Sequence, residues 1–353
     1  MTATGQPNLE ATPVGGALCL FRPDSGALGL LNGAAREVWD ASGLASVRQL
    51  TEISTLLQPT APPPVQVPFA APDGPAALMM SIALPSRQGA VRLVCHEPWL
   101  AELFAAVLSP LRATGLAEPF ATVTVARHEA GAHYRLWRSG VADVRSISRA
   151  EIRRRVLIEV ASALHGRDRV AAVLHGSAVG IDGGAILVAG RSGAGKSTLT
   201  AALVAAGTDY LGDDLVPLDA DGVRILPFPS ALSVKSGSWR GVGAAFPALG
   251  HQPIHAMRDL KIRYLPLPAA ATVASRVRGI VFPSFEPGSP LAVRRLAPEE
   301  TFALLVDAGS EIVGEPPSAK PLVMLAESVP GVHLAYGDTA AALDAIRTLG
   351  VCR

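Results

Sequence analysis

The run "LVAGRSGAGKSTL", residues 187–199, limits what this chain can fold into more than any other stretch. An apolar run breaks at Gly190, further glycines follow at 193 and 195, and helix-forming residues begin at Lys196. Gly190, Gly195, Lys196 and Ser197 fit the spacing G-x-x-x-x-G-K-[ST]. Glycines so placed let successive main-chain N–H groups curl inward as an anion nest, and the start of the following helix adds partial positive charge. Lys196 can reach terminal phosphates, and the Ser197 hydroxyl can ligate Mg²⁺. The nucleotide-binding set read from this motif is Gly190, Ser192, Gly193, Ala194, Gly195, Lys196, Ser197 and Thr198. Strand, loop and helix in that order predict an α/β fold. They say little about the reaction.

The flanks narrow it. "VAAVLHGSAVGI" reads as a strand, and "DGG" joins it to "AILVAG" as a hairpin. The strand feeding the loop therefore pairs first with an antiparallel neighbour. Beyond the helix and Gly207, "DYLGDDLVPLDADGVRILPFP" predicts a strand, two adjacent carboxylates and a hairpin turning at Asp221-Gly222. Asp213 and Asp214 lie seventeen and eighteen residues after Lys196, where a strand would bring them beside bound phosphates. Neighbours on an extended chain face opposite ways, so the two take different tasks. One holds Mg²⁺, directly or through water; the other accepts a proton from an attacking hydroxyl. The bland alternative is a surface turn. His175, inside the apolar run, is either a core histidine or a group the hairpin register carries to the carboxylates. "VKSGSWRGVG" (234–243) offers Lys235 and Arg240 on a mobile basic loop over phosphates, or simply a polar surface loop.

The rest divides into three parts. Residues 1–60 hold a hairpin ("GALCLF" and "GALGLL" around "RPDSG") and Asn32 in an N-cap position. A helix follows at "SVRQLTEISTLL", with Ser46 and Gln49 at capping-box spacing. The proline-rich "QPTAPPPVQVP" (58–68) reads as a linker. Residues 61–150 alternate four strands with one helix, "PWLAELFAAVLSPLRA", whose Trp99, Leu100, Leu103, Phe104, Val107, Leu108 and Leu111 form one apolar stripe. Residues 151–353 contain the glycine loop and begin within "SRAEIRRRVLIEVASALHG" (148–166), a helix with Ile152, Val156, Val160, Ala163 and Leu164 on its apolar face and an arginine run that reads as a solvated face. Only 17% of residues are charged and the net charge is +1, which gives no argument for nucleic acid or anionic membrane. Three scattered cysteines suit reduced thiols, and no signal or membrane-spanning stretch is read. The expectation is a soluble, cytoplasmic protein.

On "LHGSAVGIDGGAILVAGRSGAGKSTL" and "GDDLVP", the sequence over roughly 150–345 resembles bacterial HPr kinase/phosphorylase and the HPr-kinase-like enzymes of peptide-modification clusters. The resemblance implies a P-loop kinase domain of the HPr kinase/phosphoenolpyruvate carboxykinase type, preceded by a small α+β region. It places His175-Gly176 on the family's histidine-glycine, and Asp213 on its base and phosphate relay, assisted by the histidine. Lys196 is then catalytic, while Ser197 and Asp214 serve the metal. In the family's glutamate-containing signature the best match is "SWRGVG", which keeps Arg240-Gly241 but has Ser238 where glutamate stands. That departure argues against the HPr protein as substrate and against a reverse phosphorylase reaction. Residues 12–57, through "DSGALGLLNGAAREVWDASG", are similar to PqqD-type modules, which bind leader peptides by strand addition.

Together these imply an ATP- and Mg²⁺-dependent kinase acting on a serine or threonine hydroxyl of a peptide or small protein, such as a ribosomally made precursor with a leader. The partner is that peptide, and a homo-oligomer is compatible with the sequence. Two other classes remain open at this point: a small-metabolite phosphotransferase of the carboxykinase type, and a non-catalytic nucleotide-dependent peptide-binding switch.

Overall fold

The computed structural model describes residues 9–32, 35–37, 72, 74–85, 88–113, 118–127, 133–139, 141–142, 147–257, 260–268 and 273–351. It opens with an antiparallel meander of β1 (Glu10–Val14), β2 (Ala17–Arg22) and β3 (Ala27–Leu31). The expected hairpin is β2–β3; β1 is an addition to it. Asn32 caps as expected, its Oδ1 accepting from the Ala35 N–H at 3.3 Å. The expected helix at 46–57 and the proline-rich linker lie outside the described residues. Alternation in "ALCLFR" sends Ala17, Cys19 and Phe21 to one face. There they join Val14 in the same apolar core as Leu174, Leu187 and Ile280 of the main sheet.

The middle region holds β4 (Leu78–Ile82), β5 (Ala90–Cys95), α1 (Pro98–Val107), β6 (Pro119–Arg127), β7 (His133–Arg138), β8 (Val141–Ala142) and β9 (Ile147–Ser148). Its strands lie in the order β4-β5-β6-β7-β8, with β9 on β7. The apolar stripe is buried from Leu100 to Leu111, as its spacing predicts, while Trp99 at its start is half-buried. Next, α2 (Ile152–His165) buries Ile152, Val156, Val160 and Leu164. These sit in one core with Leu93 and Val123 of the middle sheet and with Val173, Leu215 and Phe228 beyond it. This helix ties the two sheets together.

The main sheet has ten strands. In chain order its elements include β10 (Val170–Leu174), β11 (Gly176–Ile181), β12 (Gly184–Ala189), α3 (Lys196–Ala205), β13 (Asp209–Asp213), β14 (Val216–Asp219) and β15 (Arg224–Ile225). A side sheet follows, with β16 (Leu232–Lys235), then α4 (Trp239–Ala245), β17 (His255–Met257) and β18 (Leu260–Leu265), ordered β16-β18-β17. Then come β19 (Ser275–Phe285), β20 (Ala292–Leu296), α5 (Pro298–Asp307), β21 (Glu311–Ile312), α6 (Lys320–Ser328), β22 (Gly331–Tyr336) and α7 (Thr339–Val351).

The main order is β13-β11-β12-β19-β15-β14-β10-β21, with β22 and β20 branching from β19. The hairpin before the loop forms as its sequence predicts. β11 and β12 are antiparallel and turn at Asp182 (φ +49°) and Gly183 (φ +74°), both left-handed as a two-residue turn requires. On its other side β12 runs parallel to β19.

Two expectations are corrected. "VAAVLHGSAVGI" is not one strand: β10 pairs with β14 and β21, β11 pairs with β12 and β13, and the change of partners falls at His175. The segment 234–243 is not a mobile loop but a short turn leading into α4, which packs on α3. No helix among the described residues is long and apolar enough to cross a membrane. Cys19 and Cys95 are buried free thiols, pushed up by burial to about 12 and about 11, so they are inert packing residues.

Candidate functional site

Register brings the chemistry to one end of the sheet. Gly176 stands opposite Ala189 and Ser177 opposite Asp213, so the start of β11 lies beside the ends of β12 and β13. The loop at 190–195, His175 and the aspartates therefore meet at a single edge. Open α/β sheets bind ligands at such strand ends. Gly176 permits the close pairing, because a Cβ there would strike the Val188 carbonyl oxygen.

The loop has the backbone an anion nest needs. Gly190, Gly193 and Gly195 have φ of +139°, +93° and +91°. Gly195 is the N-cap of α3, and no side chain caps that end. The first-turn N–H groups have no intrahelical partner and remain for a ligand. Lys196 is 9% exposed, and its Nζ donates to the carbonyls of Gly190 (2.7 Å) and Arg191 (3.1 Å). Burial lowers its pKa against the pull of Asp213 and Asp214. The Ser197 hydroxyl makes no hydrogen bond among the described residues. Thr198 Oγ1 donates to Ser238 Oγ at 2.8 Å, tying the first turn of α3 to the segment before α4. Lys235 Nζ reaches Ser192 Oγ at 2.5 Å, so this basic residue does meet the loop. Arg240 does not: it is exposed on α4 with no polar contact among the described residues. Arg191 holds the loop to α5 through two 2.7 Å bonds to Asp307.

The aspartates are not neighbours on an extended strand. β13 ends at Asp213, and Asp214 is left-handed (φ +67°), a conformation aspartate tolerates better than most residues. They still diverge. Asp213 is 2% exposed, with Oδ1 accepting from the Ser177 hydroxyl and Oδ2 from the Ser233 N–H at 2.9 Å. Burial, then the charge of Asp214, push it up to about 6 against the hydrogen bonds of Ser177 and Ser233.

Asp214 is paired with Arg153, and His175 Nδ1 lies 3.1 Å from its carbonyl oxygen and 3.4 Å from its Oδ1. Burial works to raise Asp214, but Arg153, His175 and Arg154 outweigh it and hold the group at about 2. His175 is thus neither a core histidine nor the orienter of Asp213: it touches Asp214. Burial first, and then Lys196 and Arg154, lower its pKa despite Asp214, which keeps the ring neutral at neutral pH.

The arginine run on α2 is also corrected. Arg153 pairs with Asp214, Arg154 donates to the Gly309 carbonyl at 2.7 Å, and Arg155 meets Glu311 at 2.9 Å. Three cations on one turn look solvated in sequence. The acids they meet are sixty and more positions away, so no local pattern reveals them. Ser177 and Ser233 were missed for the same reason, although Ser177 lies within the "HGSAVG" run. Phe285, at the end of β19 and 47% exposed, and Tyr336, at the end of β22, also stand beside Gly195.

No family model matches the chain, and no curated protein matches it. Among solved structures, the Hpr(Ser) kinase/phosphatase from Coxiella burnetii is similar at 15% identity and a TM-score of 0.24, over 50% of this chain and 92% of that chain. A score this low establishes no shared fold.

Proposed function

We propose that the chain is an ATP-dependent kinase that transfers the γ-phosphoryl group to a serine or threonine hydroxyl of a peptide or small protein. One observation carries this: an uncapped glycine loop and helix start lie at the same sheet edge as two carboxylates with pKa values pulled to about 6 and about 2. A nucleotide store needs the loop alone. A phosphoryl-transfer site also needs an acceptor for the hydroxyl proton and a permanent anion for the cation that accompanies the phosphates.

In this reading the loop N–H groups and Lys196 hold the phosphates. Lys196 exchanges the Gly190 and Arg191 carbonyls for phosphate oxygens. Asp213, poised at about 6, takes the hydroxyl proton as the acceptor oxygen bonds to the γ-phosphorus and the bond to the β-phosphate oxygen breaks, releasing ADP. His175 positions Asp214. Among the described residues no group of three or more His, Cys, Asp or Glu forms a cage for a metal. In this reading the Ser197 hydroxyl, unengaged among the described residues, and Asp214 would hold Mg²⁺ on the protein side, with phosphates supplying the rest. When bound, the ion neutralises charge on the transferring group. A cytoplasmic location and a leader-binding role for residues 12–57 belong to the same proposal.

Mass spectrometry of serine-containing peptides incubated with the protein, ATP and Mg²⁺ tests it. The expected product is heavier by one phosphoryl group. It should fall by about 10²–10³-fold in Lys196→Ala, the range for losing one electrostatic stabiliser. Equal transfer by wild type and Lys196→Ala, with the same melting curve, would remove the loop from the donor site.

A further inference from the structure

Beside the carboxylates, on the α2 side, lies an open groove of about 530 Å³ between α1, the start of α2 and the β17–β18 hairpin. Its walls include Trp99, Arg149, Arg153, Ile254, His255 and Leu260. That volume lies within the range of ligand-binding clefts. Four features bear on what it takes.

The groove is joined to the catalytic corner by a single side chain. Arg153 lines it and is also paired with Asp214, the residue after Asp213. A molecule in the groove therefore lies one guanidinium away from the carboxylates.

One wall carries a positioned cation. Arg149 is exposed and lies over the Trp99 ring, 4.6 Å from the ring centre, a stacked position that fixes its direction. Arg153 is already paired with Asp214, so among the described wall residues Arg149 is the arginine left for a ligand, with Glu102 on the same wall.

One wall is apolar and strand-edged. Ile254 and Leu260 are 52% and 46% exposed. β17 is the outer strand of its sheet and pairs only with β18 among the described residues. Such an edge offers main-chain groups to an added extended segment.

Two wall residues also leave hydrogen bonds unmade. Arg153 Nε and His255 Nε2 are buried and have no partner among the described residues. Buried polar atoms of this kind are rare in folded chains and call for an explanation.

We infer that this groove is the acceptor site of the kinase: an extended peptide lies along β17, with an apolar side chain against Ile254 and Leu260 and an acidic side chain on Arg149 beside the reacting hydroxyl. The inference rests on the kinase reading above and adds the acceptor's chemistry to it. A small-metabolite acceptor has no use for a strand edge flanked by exposed apolar residues. A basic side chain at that place would meet Arg149.

Two synthetic peptides test it, each with one central serine and the same apolar residues, one flanked by aspartates and the other by lysines. Full-length wild type should phosphorylate the acidic peptide with kcat/KM at least about tenfold above the basic one, roughly the effect of one favourable close charge pair. Arg149→Glu should reverse that order. Ile254→Asp should raise KM for the acidic peptide with little change in kcat, and a melting curve checks that each variant is folded. Wild type that phosphorylates both peptides equally, or an unchanged preference in folded Arg149→Glu, would overturn the groove assignment and leave the kinase reading standing. If neither peptide is phosphorylated while ATP still binds, the peptide-kinase reading fails and the groove assignment with it.

Discussion

The two sides of the site are built by opposite means. On one side the loop 190–195 displays main chain: three left-handed glycines, an uncapped helix start and Lys196 held by its own carbonyls. On the other, Asp213 and Asp214 are held by side chains and amides from β11, β16 and α2. The loop is a general device, since any phosphate satisfies N–H groups. The carboxylate corner is particular, because two adjacent carboxyls of one amino-acid type are shifted in opposite directions, Asp213 upward chiefly by burial and Asp214 downward chiefly by Arg153. A site that only had to hold a nucleotide would gain nothing from burying two acids.

The largest expected effect breaks that corner at its buried member. Asp213→Asn keeps the shape but loses the charge and the base, so transfer should fall about 10²–10⁴-fold while ATP binding persists. Stability should move the other way. The folded pKa of about 6 lies above the ordinary value of 3.8, so Asp213 favours the fold while protonated, and that contribution is lost as pH rises from about 4 to about 6. Above that range the ionised buried group costs up to about 3 kcal/mol, at about 1.4 kcal/mol per unit. The asparagine variant should therefore melt higher than wild type near neutral pH and approach it in acid. Thermal scans across pH, paired with turnover, check both halves. A variant less stable at neutral pH and still active would show that Asp213 is a structural acceptor only.

The same contrast explains what could be read ahead of the structure. The loop, its flanking hairpin and the strand leading to Asp213 rest on local chemistry: glycine conformations, the Asp182-Gly183 turn and apolar runs a few residues long. All of these formed. The corner rests on contacts between distant positions. Ser177 and Asp213 are 36 residues apart, and Arg153 and Asp214 are 61 apart. Periodicity identified the buried face of α2, yet it could not tell an arginine facing water from one facing an acid across a core. His175 was misplaced by one residue of register, since the left-handed turn at Asp214 swings that residue, not Asp213, toward the ring. The meander β1–β3 teaches the same point. Its hairpin was legible, but burial of Phe21 against the main sheet was not.

A middling effect comes from Arg153. Replacing it by Met keeps the bulk and removes the chief counter-charge of Asp214. A group with a depressed folded pKa adds stability above its unfolded value, and loses it as pH falls toward the folded one. For Asp214 that window runs from about 4 down to about 2. Arg153→Met should thus cost about 1–3 kcal/mol at neutral pH, below the range for fully buried pairs because Asp214 is 29% exposed. The gap from wild type should narrow as pH is lowered through that window. A gap independent of pH would assign the loss to packing against Tyr264, whose ring centre lies 6.0 Å from the guanidinium carbon.

The smallest effect is also the most discriminating, because two groups here could serve as the base. Asp213 stands at about 6, and neutral His175 is shifted downward from 6.5. Either would give a rate that falls on the acid side of neutrality, so a wild-type profile does not tell them apart. Ser177 does. Its hydroxyl donates to Asp213 Oδ1 and so favours the charged form. It makes no hydrogen bond to His175, although the two are close in sequence. Ser177→Ala removes that donor while the Ser233 N–H still holds the other oxygen, so the carboxyl should keep its place. Its pKa should rise further, moving the acid limb of kcat/KM to higher pH by less than about one unit, since a one-unit shift is worth about 1.4 kcal/mol, as much as a typical hydrogen bond. At alkaline pH, where Asp213 is ionised in both proteins, the rates should converge. A limb that stays in place would give the proton to His175, with Asp214 as its orienting partner and Asp213 left to shape the corner.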